Sequence, residues 1–233
     1  MPHAVEIDPR IWELRPDFVV TVVRARGLSN GPSDDVSTSL LRRAERGARA
    51  ALNGAEPATL PEVSAWRDAY RAFGAKAQRT RCSAEALLKR ALDTEGLPAI
   101  NRLVDLYNAV SVEFALPVGG EDLARIAGAS RLTVATGEEP FDTVRSGEPV
   151  VEHAAAGEVV WVDDEGVTCR RWNWRQCART RLTEESTDAF FVLERLEPLP
   201  LPTLAKAADG LVRGLRELGR PAELESWTLS RTQ

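Results

Sequence analysis

The segment Ile100 to Phe114, INRLVDLYNAVSVEF, places apolar residues at Ile100, Leu103, Val104, Tyr107, Val110 and Phe114. Spacings of three and four sustained over four turns predict a largely buried α-helix. Asn101, Asp105, Asn108 and Ser111 lie beside that stripe, and a helix buried on most sides needs partners for such groups. Asp105, Tyr107 and Asn108 are therefore candidates for chemistry, although a Tyr and an Asn on an apolar face are more often satisfied core groups. LPVGG, Leu116 to Gly120, ends the helix.

Upstream, Ser83 to Ala91 reads as a short helix with Ser83 as its N-cap, closed by Gly96 and Pro98. Pro61 to Phe73 carries Trp66, Tyr70 and Phe73 on one helical face, an aromatic stripe expected to pack in the core. Val36 to Leu52 reads as a further helix, and the β-branched run Asp17 to Arg26 as a core strand. Downstream the chain changes style. Arg131–Thr136, Gly157–Asp163, Val167–Arg171 and Ala189–Leu196 read as strands between Gly, Pro and acidic turns, before a closing helix over Leu204–Leu218. Helices clustered in the N-terminal half around a mixed or antiparallel sheet make the fold class α+β.

The 233 residues suit one domain or at most two, and 43% hydrophobic with 28% charged residues excludes a disordered or fibrous chain. The longest apolar stretch, Phe18–Val23, falls far short of the ~18 residues that cross a bilayer. The start MPHAVEIDPR lacks signal-peptide features, so the expected location is cytoplasmic, with no membrane partner. Cys82, Cys169 and Cys177 are an odd set without a CxxC, which argues against disulfides and structural zinc. His3 and His153 sit in no catalytic motif, and neither a GxSxG, a P-loop, an HExxH nor a dinucleotide fingerprint occurs. Neither metal nor cofactor is expected.

The net charge of −5 gives no whole-molecule attraction for nucleic acid, so a polyanion needs a local patch. Two exist. Trp66–Arg90 carries seven basic residues, Arg79 and Arg81 among them, against Asp68 and Glu85. CRRWNWRQCARTRLT, Cys169–Thr183, carries Arg170, Arg171, Arg175, Arg179 and Arg181. Within the second, Trp172, Asn173, Trp174, Arg175 and Gln176 bring ring faces, amides and a guanidinium together, a kit for a phosphorylated ligand with stackable bases. The plainer alternative is a strand and turn whose tryptophans pack on opposite faces with the arginines solvated.

GLPAINRLVDLYNAVSVEFALPVGGEDL (Gly96–Leu123), TVATGEEPF (Thr133–Phe141) and CRRWNWRQCARTRLTEESTDAFFVLE (Cys169–Glu194) resemble, in order and spacing, the B3/B4 domain of the bacterial phenylalanyl-tRNA synthetase beta subunit. The chain is still more similar to freestanding versions of that domain, over Trp66–Leu215. The resemblance implies an aminoacyl-tRNA editing site, here a trans-acting deacylase whose partner is mischarged tRNA. One implied substrate class is tRNA charged with a non-protein amino acid such as canavanine. Tyr107 and Asn108 fall where the synthetase helix has the Thr-Asn pair of its pocket. Pro117 matches a synthetase Pro, whereas Gly119 stands where the synthetase has a His that contributes to editing, which opens room in the pocket. The synthetase's pocket carboxylate corresponds to Glu194, with Asp188 as the alternative.

On that resemblance, Asn108 orients the substrate amine or the water, while Trp172, Asn173, Arg175 and Gln176 hold the terminal adenosine and its phosphate. Glu194 or Asp188 reads the amino-acid side chain, and Arg79, Arg81, Arg170, Arg171 and Arg179 contact the tRNA. An aminoacyl ester is already activated, so a positioned water and oxyanion donors suffice without a protein nucleophile. A tRNA-binding module without catalysis and a small-molecule pocket that has lost tRNA are the competing readings. The expected organisation is an N-terminal strand and helix extension over 1–61 packed on the domain, which docks RNA, completes the sheet or mediates oligomerisation, a B3/B4-like domain over 62–220, and a tail over 221–233, in a monomer.

Overall fold

The computed structural model describes residues 4–231, so His3 lies outside the described residues. In chain order it runs β1 (Val5–Ile7), α1 (Pro9–Leu14), β2 (Val19–Arg26), α2 (Asp35–Leu52), α3 (Pro61–Ala72), α4 (Ser83–Leu92) and α5 (Arg102–Phe114). Then come β3 (Val118–Asp122), β4 (Ser130–Val134), β5 (Pro140–Arg145), β6 (Glu148–His153), β7 (Val159–Val162), β8 (Val167–Arg170) and β9 (Arg175–Gln176). β10 (Ala189–Arg195), α6 (Leu201–Gly214), a π turn (Leu215–Gly219) and β11 (Glu223–Ser230) complete it.

Two sheets and a hairpin result. One sheet is antiparallel in the order β11-β2-β10-β3; the other runs β1-β4-β7-β8-β9, with β1 and β4 parallel and the rest antiparallel; β5 and β6 pair alone. The class is α+β, as the sequence predicts. Alternation along β10 sets the layers, because successive side chains point to opposite faces. Phe191 and Leu193 pack with Leu103 and Leu106 of α5 and Leu204 and Leu211 of α6. Phe190 and Val192 turn to the other face, toward Leu132 and Trp161 of the second sheet and Trp66 and Tyr70 of α3. Burying each such side chain contributes roughly 1.5–3 kcal/mol. A third cluster, including Leu41, Leu52, Val63, Leu88 and Val112, joins α2 to α3, α4 and α5.

Several boundaries differ from expectation for identifiable reasons. The helix predicted from Ile100 starts at Arg102, because Asn101 is its N-cap and accepts from the Val104 amide at 3.0 Å; Ile100 is exposed. Ser83 is not the cap of α4: the Sγ of Cys82 accepts from the Glu85 amide, which leaves Ser83 inside the first turn. LPVGG does more than stop a helix. Ala115 takes a left-handed turn (φ 52°), and Val118–Asp122 returns as an edge strand pressed so closely on β10 that a Cβ on Gly120 would lie 2.8 Å from the Phe191 ring.

Both ends of the chain contribute strands to one sheet. β2, from the expected extension, lies between β11 and β10, and β11, from the expected tail, pairs with β2 along all eight residues. The tail reading missed an amphipathic strand: Leu224, Trp227 and Leu229 are half-buried among exposed polar neighbours, and Thr21 and Thr228 share a hydrogen bond. Among the described residues no helix is long and apolar enough to cross a membrane.

Candidate functional site

Three of the four polar residues beside the α5 stripe are committed to the fold. Asn101 caps the helix and donates to the Leu182 carbonyl; Asp105 accepts from Ser37 Oγ at 2.9 Å and the Ile100 amide at 2.8 Å; Ser111 donates to the Leu116 carbonyl at 2.7 Å. Asn108 is the exception. It is 7% exposed, its side chain has no hydrogen-bond partner among the described residues, and it borders a cavity of about 280 Å³.

That cavity has a built floor. Gly119 lies opposite Val192 and Glu121 opposite Phe190 in the β3–β10 register, so these four and Glu194 share one sheet face. Trp161 of β7, Cys169 of β8 and Gln176 of β9 supply the wall from the second sheet, with Ser83, Ala86 and Leu87 of α4 and Tyr107 and Asn108 of α5 at the side. Gln176 Nε2 ties the wall to the floor through the Gly120 carbonyl at 2.9 Å. A Cβ on Gly119 would meet only Val192 Cγ2, at an ordinary 3.5 Å, so its lack of a side chain leaves space that the floor does not need for its own packing.

The chain between β8 and β9 reverses through two consecutive left-handed residues, Arg171 (φ 47°) and Trp172 (φ 67°), uncommon for bulky side chains. The turn sends the two tryptophans different ways. Trp172 is fully buried, edge-on to Phe18 at 5.1 Å and Trp66 at 5.3 Å between ring centroids, and borders the cavity. Trp174 is partly exposed beside the cavity, with the Arg171 guanidinium 4.4 Å and that of Arg175 6.0 Å from its ring centre. Asn173 is a buried hub: its Oδ1 accepts from Tyr70 OH at 2.8 Å and its Nδ2 donates to Glu194 Oε2 at 2.7 Å.

Electrostatically the cavity is poised toward neutral acids. Burial pushes the Glu194 carboxyl up to about 7, against the opposing hydrogen bonds from Asn173 and from Trp161 Nε1, the latter at 3.0 Å. Burial pushes Glu121 up to about 8, against the opposing influence of the Thr168 and Thr180 hydroxyls beside its carboxyl, whose Oε2 is fully enclosed by protein. The Cys169 thiol is pushed well above its usual value by burial, which makes it a poor thiolate nucleophile. Among the described residues no group of three or more His, Cys, Asp and Glu could hold a metal ion.

Of the residues singled out by sequence, Tyr107, Asn108, Gly119, Trp172, Asn173, Arg175, Gln176 and Glu194 come together around this one cavity. Others require correction. Asp188 lies away from it and accepts from the Gly27 amide, so Glu194 is the carboxylate of the two that reaches the cavity. Pro117 is buried outside the cavity lining, its carbonyl accepting from the Glu194 amide. Trp172 offers no face to a base because the core encloses it, and both ends of the Asn173 amide are already bonded. Arg170 is held by Glu158 and Glu152, and Arg179 by both oxygens of Asp163 at 2.8 Å, so neither is a free phosphate ligand. Arg81 leans on Glu85 at 3.4 Å, and Arg171 bonds Thr80 and stacks on Trp174. Arg79 stays exposed with no ion pair among the described residues, and His153 lies exposed at the end of β6, outside the cavity.

Sequence reasoning missed Glu121, Trp161, Cys169, Trp174 as distinct from Trp172, and the Tyr70 hydroxyl. The alternation Gly119-x-Glu121 within a strand paired to β10 was the available signal for Glu121, concealed by reading LPVGG as a helix stop.

No curated protein matches this chain. Among solved structures it is similar to an N-terminal fragment of the phenylalanyl-tRNA synthetase beta subunit from Pyrococcus horikoshii, at 12% identity and a TM-score of 0.47; the match covers 99% of this chain and 55% of the fragment, so the chain spans about half the fragment's length. The profile of the B3/4 domain matches residues 65–207, more than half of the sequence and the part that runs from within α3 through β10 and holds the whole cavity, and the chain belongs to the B3/4 domain family.

Proposed function

We propose that this protein is an aminoacyl-tRNA deacylase that acts in trans on mischarged tRNA. The observation that carries the reading is Asn108, a buried amide with open donor and acceptor groups facing a cavity of about 280 Å³. That volume lies near the lower end of the ~300–1,000 Å³ typical of small-molecule sites and suits an aminoacyl group rather than a whole nucleotide. The amino acid enters the cavity. The terminal adenosine lies outside, where the partly exposed Trp174 supplies a stacking face and Arg175 a cation. Arg79 is the expected phosphate ligand among the five arginines considered, since the others already have protein partners.

Water attacks the ester carbonyl, the bond from that carbon to the ribose oxygen breaks, and the free amino acid and a tRNA with a restored hydroxyl leave. Asn108 orients the attacking water against the carbonyl, and the low-polarity walls strengthen that hydrogen bond. The absence of a side chain at Gly119 leaves the amino-acid end of the cavity open.

The test is deacylation of a panel of cognate and mischarged aminoacyl-tRNAs, canavanyl-tRNA(Arg) and tyrosyl-tRNA(Phe) included, by wild type and Asn108→Ala. Selective hydrolysis of one mischarged species, reduced about 100-fold or more in the variant without a change in melting temperature, is the expected result. Binding of tRNA with no hydrolysis anywhere in the panel points instead to a non-catalytic RNA-binding module.

A further inference from the structure

Ester hydrolysis places negative charge on the carbonyl oxygen, and with Asn108 on the water that oxygen still needs a donor. Several polar groups around the cavity are committed to the protein: Asn173 and Trp161 Nε1 to Glu194, and Gln176 Nε2 to the Gly120 carbonyl. Two hydroxyls of the lining, those of Ser83 and Tyr107, have no hydrogen-bond partner among the described residues. Tyr107 sits in the middle of α5, whereas Ser83 is the first residue of α4. Helical spacing fixes where the Ser83 hydroxyl lies. Ser83, Ala86 and Leu87 all line the cavity, and positions three and four apart occupy one helical face, so Ser83 is on the face of α4 turned to the cavity. The Ser83 amide donates to the Asn173 carbonyl at 3.0 Å, which ties this first turn to the β8–β9 turn and holds the hydroxyl in place.

The start of a ten-residue helix also sets the sign of charge that suits this position, because a helix N-terminus carries partial positive charge. Two features leave that field uncancelled. The cap is the Cys82 thiol, which burial pushes up to about 12 and so keeps neutral, where an aspartate cap would bring a negative charge. The first-turn carboxylate, Glu85, is forked by the Arg67 guanidinium, at 2.9 Å from its Nε. An oxyanion is therefore favoured beside Ser83, and the substrate ammonium is disfavoured. The buried Asn108 amide, open on the same cavity, completes the pair of uncommitted polar groups brought by α4 and α5.

We propose that Ser83 is a catalytic residue of this site, its hydroxyl donating a hydrogen bond to the ester carbonyl oxygen as negative charge develops there. Water adds to the ester carbon and the carbonyl π pair moves onto oxygen, where the Ser83 O–H donates without giving up its proton. Collapse expels the ribose oxygen, which takes the proton lost by the water. No base hydrogen-bonds the Ser83 hydroxyl among the described residues, so the serine acts as a donor and not as a nucleophile. The assignment rests on the proposed deacylase reading and adds the group that stabilises its transition state.

Calorimetric titration tests it with two adenosine probes that carry the small alanine side chain and resist hydrolysis: the 3′-alanylamide, with a planar carbonyl, and the 3′-ester of 1-aminoethylphosphonate, whose charged oxygens mimic the tetrahedral oxyanion. Wild type should bind the phosphonate about 100-fold more tightly than the amide. Ser83→Ala should weaken the phosphonate about 10-fold or more and leave the amide within about twofold, with an unchanged melting temperature. On any aminoacyl-tRNA that wild type hydrolyses, the same variant should lower kcat about 10-fold or more with KM little changed. The assignment is overturned if wild type binds the two probes equally or binds neither, or if Ser83→Ala keeps the wild-type preference or the wild-type kcat. Because binding is read apart from turnover, the two proposals fail separately. A phosphonate preference lost at Ser83 in a protein that hydrolyses no aminoacyl-tRNA sinks the deacylase reading alone, and hydrolysis by a protein indifferent to Ser83 sinks this one alone.

Discussion

Burial of the Glu121 carboxyl carries a cost, and its sign is measurable. The carboxyl is pushed up by burial from an ordinary 4.5 to about 8. Between those values the unfolded chain has released the proton that the folded chain retains, so stability falls as pH rises through that window. Glu194, raised to about 7, adds to the same trend over a narrower range. Glu121→Gln keeps the shape and removes the titration. Thermal melts at pH 5 and pH 8 should show the variant gaining at least about 1 kcal/mol relative to wild type at pH 8 and little at pH 5. An equal effect at both pH values would mean that the carboxyl is not buried as described. Asn108, uncharged and unbonded, should move neither melt, which separates the group assigned to chemistry from the group that sets charge.

At the scale of elements, the β8–β9 turn and its neighbours separate structural arginines from available ones. Arg170 is buried, forks onto both oxygens of Glu158 at 2.9 and 2.7 Å, and reaches Glu152 at 3.1 Å. Removing it leaves the buried Glu158 with the Arg171 amide and a longer Arg171 contact, while Glu152 keeps Arg145, so Arg170→Ala should destabilise the protein by about 3 kcal/mol, read by denaturant titration. Arg79 follows α3 on an exposed stretch, and Arg79→Ala should stay within about 0.5 kcal/mol of wild-type stability. Its effect should appear in tRNA binding instead, as a salt dependence shallower by about one unit of slope. Both residues belong to runs of basic sequence that look alike. What separates them is Glu158 of the β6–β7 connection, which forms an ion pair with Arg170 and none with Arg79 among the described residues.

For the whole molecule, the last strand closes the first sheet. β11 covers the full length of β2, so removing residues 221–233 would bare eight residues of β2 edge and take Trp227 from the core face. A chain ended at residue 220 should melt at a lower temperature and self-associate through that edge, seen as concentration-dependent species in size-exclusion chromatography. A monomer of unchanged melting temperature would show that β11 is dispensable. The B3/4 match over 65–207 contains the cavity, whereas β2 and β11, both outside it, complete the sheet that carries the floor.

The helices α2 to α5, the core strand β2 and the change to strands after residue 130 were legible in the sequence, because periodicity and caps act over a few residues. The gathering of Asn108, Gly119, Glu194 and the WNWRQ segment at one site was legible only through resemblance to a family. What the linear chain could not reveal is which polar groups end up satisfied. Asn173 and Glu194 are 21 residues apart, Tyr70 and Asn173 are 103 apart, and the bonds between them withdraw Asn173 and Glu194 from ligand duty. Trp172 and Trp174 read alike in sequence until the left-handed turn buries one and leaves the other beside the cavity. Local patterning thus determined the elements, while tertiary structure alone decided which donors and acceptors stay open, since a buried group's partner is set by packing between elements and not by its neighbours in the chain.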